Sequence, residues 1–472
     1  MEICFGKSPL FCWITVNNSL LQCFVLIFVY FCEIITIKKL IMKLQQFLPK
    51  GVLIILLALC LSCSSNQQPS RQIFTVGEPA EIVGISSERL ERVDSICKLW
   101  IENGTLPHAT AMVVRKGQVV FHEAYGWRDM DKKIPMQKDD IFRNASQSKA
   151  ITSVALMTLY EQGKFGLDDP ISIYIPEFKN PQVLDKMEAD GRTYTSHPAR
   201  REITFRDLLT HRSGISYSTL WGHPTYTLCK DLNIPNITST DSITIGDAVK
   251  LYAKVPLEAE PGERWIYGWN LDIAGYLIEI LSGMSFDEYL RTTIFEPLGM
   301  KDTYFFLPDD KADRLVTIYN KRGPKGKIVR CDNEFYQTYP ITGAKTYFSG
   351  GGGLCGTIED YAKFCQMMLN GGSFNGHQIL GRKTVELMTK NQMGTGDEGW
   401  GWSLGFEVVG KNKEYETLAS AGSYFWSGMF KTFYHIDPKE DMAILFYFNA
   451  LDFYDPGLFE KFKLMVYQTV ID

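Results

Sequence analysis

A serine and a lysine three residues apart are the residues whose types and spacing best suit catalysis in this chain. Ser146 and Lys149 lie in the run Ala-Ser-Gln-Ser-Lys, where apolar residues begin to recur with helical spacing. Side chains at positions i and i+3 share one helix face, so the Lys149 amine can accept the Ser146 proton. The N–H groups of a helix N-terminus would also stabilise negative charge on a substrate oxygen. The pair predicts acyl transfer through a nucleophilic serine.

A second pair with the same spacing shows that this motif alone is not specific. Ser95 and Lys98 lie inside a predicted amphipathic helix that begins after Ser86 and ends at Gly104. The elements and motifs around Ser146 must therefore distinguish the two pairs.

Predicted strands lie at both ends of the chain, with helices and loops between them. Two β-rich runs, residues 111–115 and 118–125, are joined by a Lys-Gly turn and precede the Ser146 helix. Residues 215–244 are rich in Pro, Asn, Thr and aromatic side chains, which predicts a long surface loop. After Trp400 the pattern predicts strands and then a terminal helix: residues 402–409, 430–436, 442–448 and 458–470. We predict an α+β fold, with one sheet built from both chain ends, flanking helices and an inserted helical lobe.

Composition permits a large core and argues against a nucleic-acid partner. The chain has 472 residues, of which 45% are hydrophobic, and its formal net charge is −5. This is enough apolar material for one large domain or two medium ones. No basic face for nucleic acid is indicated.

The N-terminus contains two apolar stretches, residues 20–37 and 52–61. The second follows a basic segment that begins at Met42, and together they have the form of a signal peptide spanning residues 42–62. We predict that residues 1–41 are an upstream extension of the reading frame. The alternative is that residues 1–41 contain a genuine membrane segment.

The residues after the predicted signal peptide resemble a bacterial lipoprotein cleavage site. Cys63 follows a small residue and precedes a polar stretch, so we predict lipidation of Cys63 and a tether over residues 63–80. The protein is then expected to be exported and lipid-anchored to a bacterial membrane, facing the periplasm or the cell exterior.

From about residue 82 to the C-terminus, the chain resembles the serine β-lactamase-related family. This family comprises class C β-lactamases, D-Ala-D-Ala peptidases and esterases that share their fold. The matching segments, in chain order, are residues 145–152, 167–170, 175–178, 203–214, 260–267, 296–300, 350–354, 426–428 and 436–438. The resemblance implies a β-lactamase/transpeptidase-like antiparallel sheet in a hydrolase domain over residues 81–472. It also makes Ser146 and Lys149 the catalytic pair.

The resemblance implies a third catalytic residue, Tyr267, at the end of the run Pro-Gly-Glu-Arg-Trp-Ile-Tyr. A phenol serves as a base when a nearby ammonium, here Lys149, favours the phenolate. Tyr267 and Lys149 would share the Ser146 proton and return one to the leaving group.

The Lys-Thr-Gly motif of the lactamases is replaced by Trp426-Ser427-Gly428 in this chain. The backbone N–H groups of Ser146 and Met429 can still form an oxyanion hole, because they do not depend on side chains. The lysine that binds a substrate carboxylate is missing, and Trp426 suits a neutral or aromatic acyl group. Lys431 could restore a cation nearby.

The Tyr-x-Asn motif of the lactamases is also altered. Trp269 stands two residues after Tyr267, and Asn270 follows it. We predict substrate contacts from Trp269, Asn270, Trp426, Ser427 and Gly428.

Two other motifs have simpler explanations. Residues 351–356 satisfy G-x-G-x-x-G, but no buried parallel strand precedes them, so close backbone packing is favoured over a nucleotide site. His211 has no nucleophile elbow to serve, so a structural role is favoured. The seven histidines show no metal-binding spacing, and we expect no cofactor and no metal.

The sequence therefore predicts an exported serine hydrolase that forms an acyl-enzyme on Ser146, with esterase-type chemistry. One alternative is a D-Ala-D-Ala carboxypeptidase, a penicillin-binding protein or a β-lactamase. Another is a catalytically silent binding protein. The expected partners are a small-molecule ester, amide or cell-wall peptide, and a membrane reached through the lipid anchor or N-terminal segment.

Overall fold

The computed structural model describes residues 73–219, 222–394, 400–413, 415–455 and 457–472. The predicted extension, signal peptide, Cys63 and most of the tether lie outside the described residues. Within these ranges, no helix combines the length and apolar character needed to cross a membrane.

Strands and helices alternate irregularly along the described chain. The strands are β1 (His108–Arg115), β2 (Gln118–Asp129), β3 (Ile134–Pro135), β4 (Phe142–Arg143), β5 (Gln182–Met187), β6 (Tyr194–Pro198), β7 (Thr303–Tyr304), β8 (Tyr319–Lys321), β9 (Val329–Arg330), β10 (Cys355–Gly356), β11 (Ser373–Phe374), β12 (His377–Gln378), β13 (Trp400–Trp402), β14 (Glu407–Val409), β15 (Tyr424–Ser427), β16 (Thr432–Asp437), β17 (Met442–Tyr447) and β18 (Ala450–Phe453). The α-helices are α1 (Ser87–Glu102), α2 (Ser148–Glu161), α3 (Phe205–Leu209), α4 (Tyr226–Asp231), α5 (Ile245–Tyr252), α6 (Asn270–Ser282), α7 (Phe286–Leu290), α8 (Glu296–Leu298), α9 (Glu334–Thr338), α10 (Ile358–Leu369), α11 (Arg382–Met388) and α12 (Leu458–Tyr467).

The main sheet joins the two ends of the domain, as the sequence predicts. Its eight strands run in the order β13-β14-β15-β16-β17-β1-β2-β3, and each neighbouring pair is antiparallel. Strand β1 pairs with β17, so Thr110 lies opposite Tyr447. Lys116 and Gly117 both have positive φ values, 50° and 79°, which suits the tight turn between β1 and β2.

Both faces of the sheet are buried, which explains why β17 is apolar throughout. Alternate side chains of a strand point to opposite faces. Met442, Ile444 and Phe446 belong to one core, with α1 and α12, whereas Ala443 and Leu445 belong to the other. Helices α2 and α10 cover that second face. The result is a layered α+β fold with helices on both sides of an antiparallel sheet.

The helical lobe lies between the two groups of strands in the sequence and packs on α2. Helix α6 is its centre, because it contacts α2, α3, α5 and α7. The predicted loop at 215–244 contains a short helix, α4, which its polar composition did not indicate.

The prediction of one continuous strand at 402–409 was wrong, because the chain bends there and forms β13 and β14. Gly405 has φ 107°, and a Cβ on it would lie 2.3 Å from the Ser153 hydroxyl of α2. This segment approaches α2 so closely that a glycine is required at position 405, and the strand is interrupted there.

Candidate active site

The nucleophile turn is a tight 3₁₀ turn, Ala145–Gln147, that leads directly into α2. Ala145 has φ 46°, which costs free energy for a residue with a Cβ. The Ser148 hydroxyl donates to the Ala145 carbonyl at 2.7 Å and accepts from the Leu354 N–H at 3.0 Å. These bonds hold Ala145 in its strained conformation, immediately before Ser146.

The lysine lies beside the serine, as the spacing predicts. The distance from Lys149 Nζ to Ser146 Oγ is 3.2 Å, and Lys149 also donates to the Gly351 carbonyl. The Lys149 side chain is fully buried, while Ser146 is 8% exposed. Ser146 therefore keeps a small exposed surface, whereas the Lys149 side chain is enclosed.

The second pair with this spacing has no such arrangement. Lys98 forms an ion pair with Asp94 and its side chain is 60% exposed, while the Ser95 hydroxyl donates to the Glu91 carbonyl. Only the surroundings distinguish this pair from Ser146 and Lys149.

Tyr267 lies over the lysine. The Lys149 nitrogen is 4.5 Å from the centre of the Tyr267 ring, which is cation–π range. The Tyr267 hydroxyl accepts a hydrogen bond from Trp426 Nε1 at 3.3 Å. The structure thus brings the predicted phenol to the amine, and the indole N–H to the phenol oxygen.

The turn after β15 approaches the nucleophile turn at Gly428. A Cβ on Gly428 would lie 2.3 Å from the Asn144 carbonyl, and the Thr432 hydroxyl donates to the same carbonyl at 3.1 Å. Met429 follows in the turn between β15 and β16 and is exposed. This contact fixes the turn that carries Met429 against the residues before Ser146. Ser427, at the end of β15, is half-buried next to that turn.

Tryptophan side chains pack around Tyr267. The Trp265 ring stacks on Tyr267 at 5.6 Å, and the Trp426 ring meets the buried Trp402 edge-on at 4.6 Å. Trp265 is 37% exposed and Trp426 is half-buried, so part of the apolar ring surface next to Tyr267 is open to solvent. We call Trp265, Tyr267, Trp402 and Trp426 the aromatic wall.

Trp269 and Asn270, predicted to contact substrate, lie in the core instead. Trp269 is 1% exposed and stacks on Tyr252 at 4.4 Å. Asn270 is fully buried, and its amide bonds His211 Nδ1 at 2.8 Å. Both residues lie at the start of α6, where their side chains turn toward the interior rather than the cleft. Their placement gives the prediction no support.

His211 supports the site without forming a triad. Its ring packs 4.9 Å from the Tyr267 ring. Burial lowers the pKa of His211 well below its ordinary value, and the Lys149 charge acts in the same direction. The imidazole is therefore neutral and serves as a packing partner of the phenol.

Two residues next to Lys149 were not among the predicted site residues. The Tyr217 ring centre is 5.4 Å from the Lys149 nitrogen, and Tyr217 lies in the loop after α3 whose role the sequence left open. Asp272 is fully buried in the first turn of α6 and interacts electrostatically with Lys149. The sequence signals for them are their positions a few residues after 203–214 and after Tyr267, and for Asp272 also its alignment with the esterase-like branch of the family.

The chain belongs to the β-lactamase family. The family model named Beta-lactamase matches residues 94–461, which is most of the chain. This result and the fold confirm the resemblance found in the sequence.

The curated relatives include an esterase and a peptidase. Esterase EstB of Burkholderia gladioli is 26% identical over 374 residues, which cover 76% of this chain and 90% of the esterase. A protein of Escherichia coli K12, provisionally named D-alanyl-D-alanine carboxypeptidase, is 26% identical over 447 residues, which cover 88% of this chain and 96% of that protein.

Solved structures with a similar fold include a hydrolase and a synthase. EstCE1, described as a hydrolase with promiscuous acyltransferase activity, is 25% identical with a TM-score of 0.67 and covers 81% of this chain and 98% of its own. Simvastatin synthase LovD of Aspergillus terreus shares the fold, with 23% identity, a TM-score of 0.69 and the same coverage. The chain is therefore a member of the β-lactamase-fold serine hydrolases, a group that includes esterases and acyltransferases.

Proposed function

We propose that the protein hydrolyses carboxylic esters through an acyl-enzyme on Ser146. The observation that carries the proposal is the 3.2 Å contact between Lys149 Nζ and Ser146 Oγ, beneath the Tyr267 ring. Ser146 attacks the ester carbonyl, and its proton passes to the Lys149–Tyr267 pair. The pair returns a proton to the leaving alcohol, and water then releases the acid.

The oxyanion of the tetrahedral intermediate is assigned to two backbone donors, the N–H groups of Ser146 and Met429. The Gly428 contact with Asn144 supports this assignment, because it fixes one donor relative to the other. Such preorganised donors commonly contribute about 3–4 kcal/mol to a hydrolytic transition state.

A neutral acyl group is favoured by the aromatic wall. Trp426 stands where the lactamases have the lysine of Lys-Thr-Gly, and it donates to Tyr267 instead of binding a carboxylate. Ring surface of Trp265 and Trp426 would pack against an apolar acyl chain or aromatic acid. The similarity of this chain to Esterase EstB also supports carboxylic esters as the substrate class.

The test compares three substrate classes on the purified domain. We expect turnover of neutral p-nitrophenyl esters, slow turnover of nitrocefin, and little release of D-alanine from a D-Ala-D-Ala peptide. Ser146→Ala should abolish ester turnover. Ser95→Ala, the same change in the second pair, should leave it at the wild-type rate. Peptide turnover faster than ester turnover would instead favour a carboxypeptidase, the activity in the provisional name of the E. coli relative.

A silent binding protein is the remaining alternative. It would bind an ester without labelling by a fluorophosphonate probe. Labelling of wild type and of Ser95→Ala, with no labelling of Ser146→Ala, would exclude it.

We also propose that the protein is exported and anchored through Cys63. The support is the sequence pattern of residues 42–63. Radiolabelled palmitate should enter the wild-type protein and not Cys63→Ala. A mature protein that retains residues 1–41 would contradict this proposal.

A further inference from the structure

A buried polar cluster lies behind Lys149, centred on Asp272. One oxygen of its carboxyl, Oδ1, accepts from the Ser349 hydroxyl at 2.5 Å, from the Gly351 N–H at 3.3 Å and from the Tyr347 hydroxyl at 3.4 Å. Tyr347 in turn shares a 2.6 Å hydrogen bond with the Tyr252 hydroxyl. Buried polar groups are expensive unless they are satisfied, so such a cluster needs a reason to persist.

The cluster holds the glycine run at residues 350–353 against the start of α6. A Cβ on Gly350 would lie 2.2 Å from the Leu271 carbonyl, and one on Gly351 would lie 2.5 Å from Asp272 Oδ2. Only glycine permits this approach. The G-x-G-x-x-G pattern here therefore serves close backbone packing.

The other side of the glycine run is hydrogen-bonded to α2. Lys149 donates to the Gly351 carbonyl, and the Thr152 hydroxyl donates to the Gly350 carbonyl at 2.8 Å. The Gly351 N–H therefore donates to Asp272, and the Gly351 carbonyl accepts from Lys149. A displacement of Asp272 must move the group that holds the amine.

The other oxygen of the carboxyl, Asp272 Oδ2, is buried and has no hydrogen-bond partner within the part of the chain that the structure describes. Burial raises the pKa of the Asp272 carboxyl, while the Ser349 hydroxyl and the Lys149 charge act to lower it. An unpaired buried oxygen costs free energy, so the fold retains this carboxyl at a penalty.

We propose that Asp272 is a positioning residue for the acyl transfer at Ser146. It fixes the Gly351 peptide, whose carbonyl holds Lys149 at the serine. The proposal rests on the proposed esterase function and adds to it a residue that does not touch the substrate.

The test compares Asp272→Asn with a matched control, Asp360→Asn. Asp360 is also buried, is also in the first turn of a helix, and accepts from the Asp302 N–H and the Thr303 hydroxyl. Steady-state rates on a neutral p-nitrophenyl ester are measured from pH 5 to pH 10, with circular dichroism to establish folding. Ser349→Ala is measured in parallel, because it removes one tie to the glycine run and keeps the charge.

Asp272→Asn should lower the plateau kcat at least about fivefold, with KM changed less than about twofold. Ser349→Ala should also lower kcat, with KM changed less than about twofold. Asp360→Asn should leave kcat unchanged.

A folded Asp272→Asn with the wild-type kcat would overturn the proposal. If Asp272→Asn does not fold, Ser349→Ala decides, and an unchanged kcat there would overturn it. Failure of the proposed function looks different, because the wild-type protein itself would then neither hydrolyse the ester nor react with a fluorophosphonate.

Discussion

At the scale of single residues, a few contacts around the lysine distinguish two identical motifs. Ser146 and Lys149 meet because Lys149 is buried and is bonded to Gly351, whereas Lys98 is exposed and pairs with Asp94. An amine that is held next to a hydroxyl can accept its proton, and an exposed amine in an ion pair cannot. The surroundings, rather than the motif, therefore make Ser146 the candidate nucleophile.

The indole N–H of Trp426 should contribute to the rate by bonding the Tyr267 hydroxyl. Trp426→Phe keeps an aromatic ring and removes this donor. We expect kcat on a neutral ester to fall about fivefold, the value of one hydrogen bond of about 1 kcal/mol, with KM little changed. The control is Trp400→Phe, on the same sheet but packed against Phe425, which should keep the wild-type rate. A larger rise in KM than fall in kcat would show that Trp426 acts by binding substrate alone.

The spacing of Ser146 and Lys149 predicted their contact, whereas Tyr267 was predicted only through the family resemblance. Sequence reasoning also predicted substrate contacts from Trp269 and Asn270 because they follow Tyr267, but the start of α6 turns both side chains inward. The direction of a side chain at a helix start depends on tertiary packing, which spacing alone does not encode. Asp272 was given no role in the prediction for the same reason.

At the scale of elements, the site is assembled where three segments approach each other closely. The 3₁₀ turn before α2 carries Ser146, the turn after β15 carries Met429, and the start of α6 backs the glycine run. One such approach is at Gly428, where a Cβ would lie 2.3 Å from the Asn144 carbonyl. Glycine is needed here for space, since its φ does not lie in the left-handed region.

Gly428→Ala should therefore impair activity more than stability. The added methyl group must push the turn after β15 away from the Asn144 carbonyl and move the Met429 N–H. We expect kcat to fall at least about tenfold, in line with the loss of one oxyanion donor.

The control for this change is Gly422→Ala, at the other end of β15. Gly422 has φ 85° and open space around it, so alanine there should cost about 1–2 kcal/mol of stability and leave kcat unchanged. Thermal unfolding and ester turnover measure both quantities. Equal kcat values for Gly428→Ala and Gly422→Ala would show that the Gly428 contact does not position the oxyanion hole.

At the scale of the whole molecule, the two ends of the domain meet in one sheet that separates two apolar cores. The apolar strand at 442–448 and the turn at Lys116 were visible in the sequence, and pairing of β1 with β17 joins the two ends of the domain. The break at Gly405 and helix α4 were not visible, because each depends on a neighbour distant in sequence or on weak local preference.

The sheet carries a carboxyl whose burial makes stability depend on pH. Glu407 lies on β14 near Lys463 of α12, and burial raises its pKa from 4.5 to about 7. A carboxyl with a raised pKa contributes stability that is fully present below pH 4.5 and is lost as pH rises through about 7. Glu407→Gln cannot ionise, so its unfolding free energy relative to wild type should increase between pH 5 and pH 8, by about 1–2 kcal/mol after solvent screening.

Glu416→Gln provides a control of opposite sign. Glu416 is exposed and bonded to Lys413, which lowers its pKa. Its contribution to stability is present at neutral pH and is lost as pH falls through the folded pKa. Urea unfolding at pH 5 and pH 8 tests Glu407→Gln, and unfolding at pH 3 and pH 6 tests Glu416→Gln. If the unfolding free energy of Glu407→Gln depended on pH as the wild type does, Glu407 would not be the cause of that dependence.

The most direct test of the central claim is the mass of the enzyme trapped during turnover. The wild-type protein is mixed with a neutral p-nitrophenyl ester, quenched with acid within the first turnover, and digested for peptide mass mapping. We predict one acyl group per chain, on the peptide that contains Ser146, in the wild type and in Ser95→Ala, and none in Ser146→Ala. An acyl group on another peptide, or continued hydrolysis by Ser146→Ala, would contradict the account.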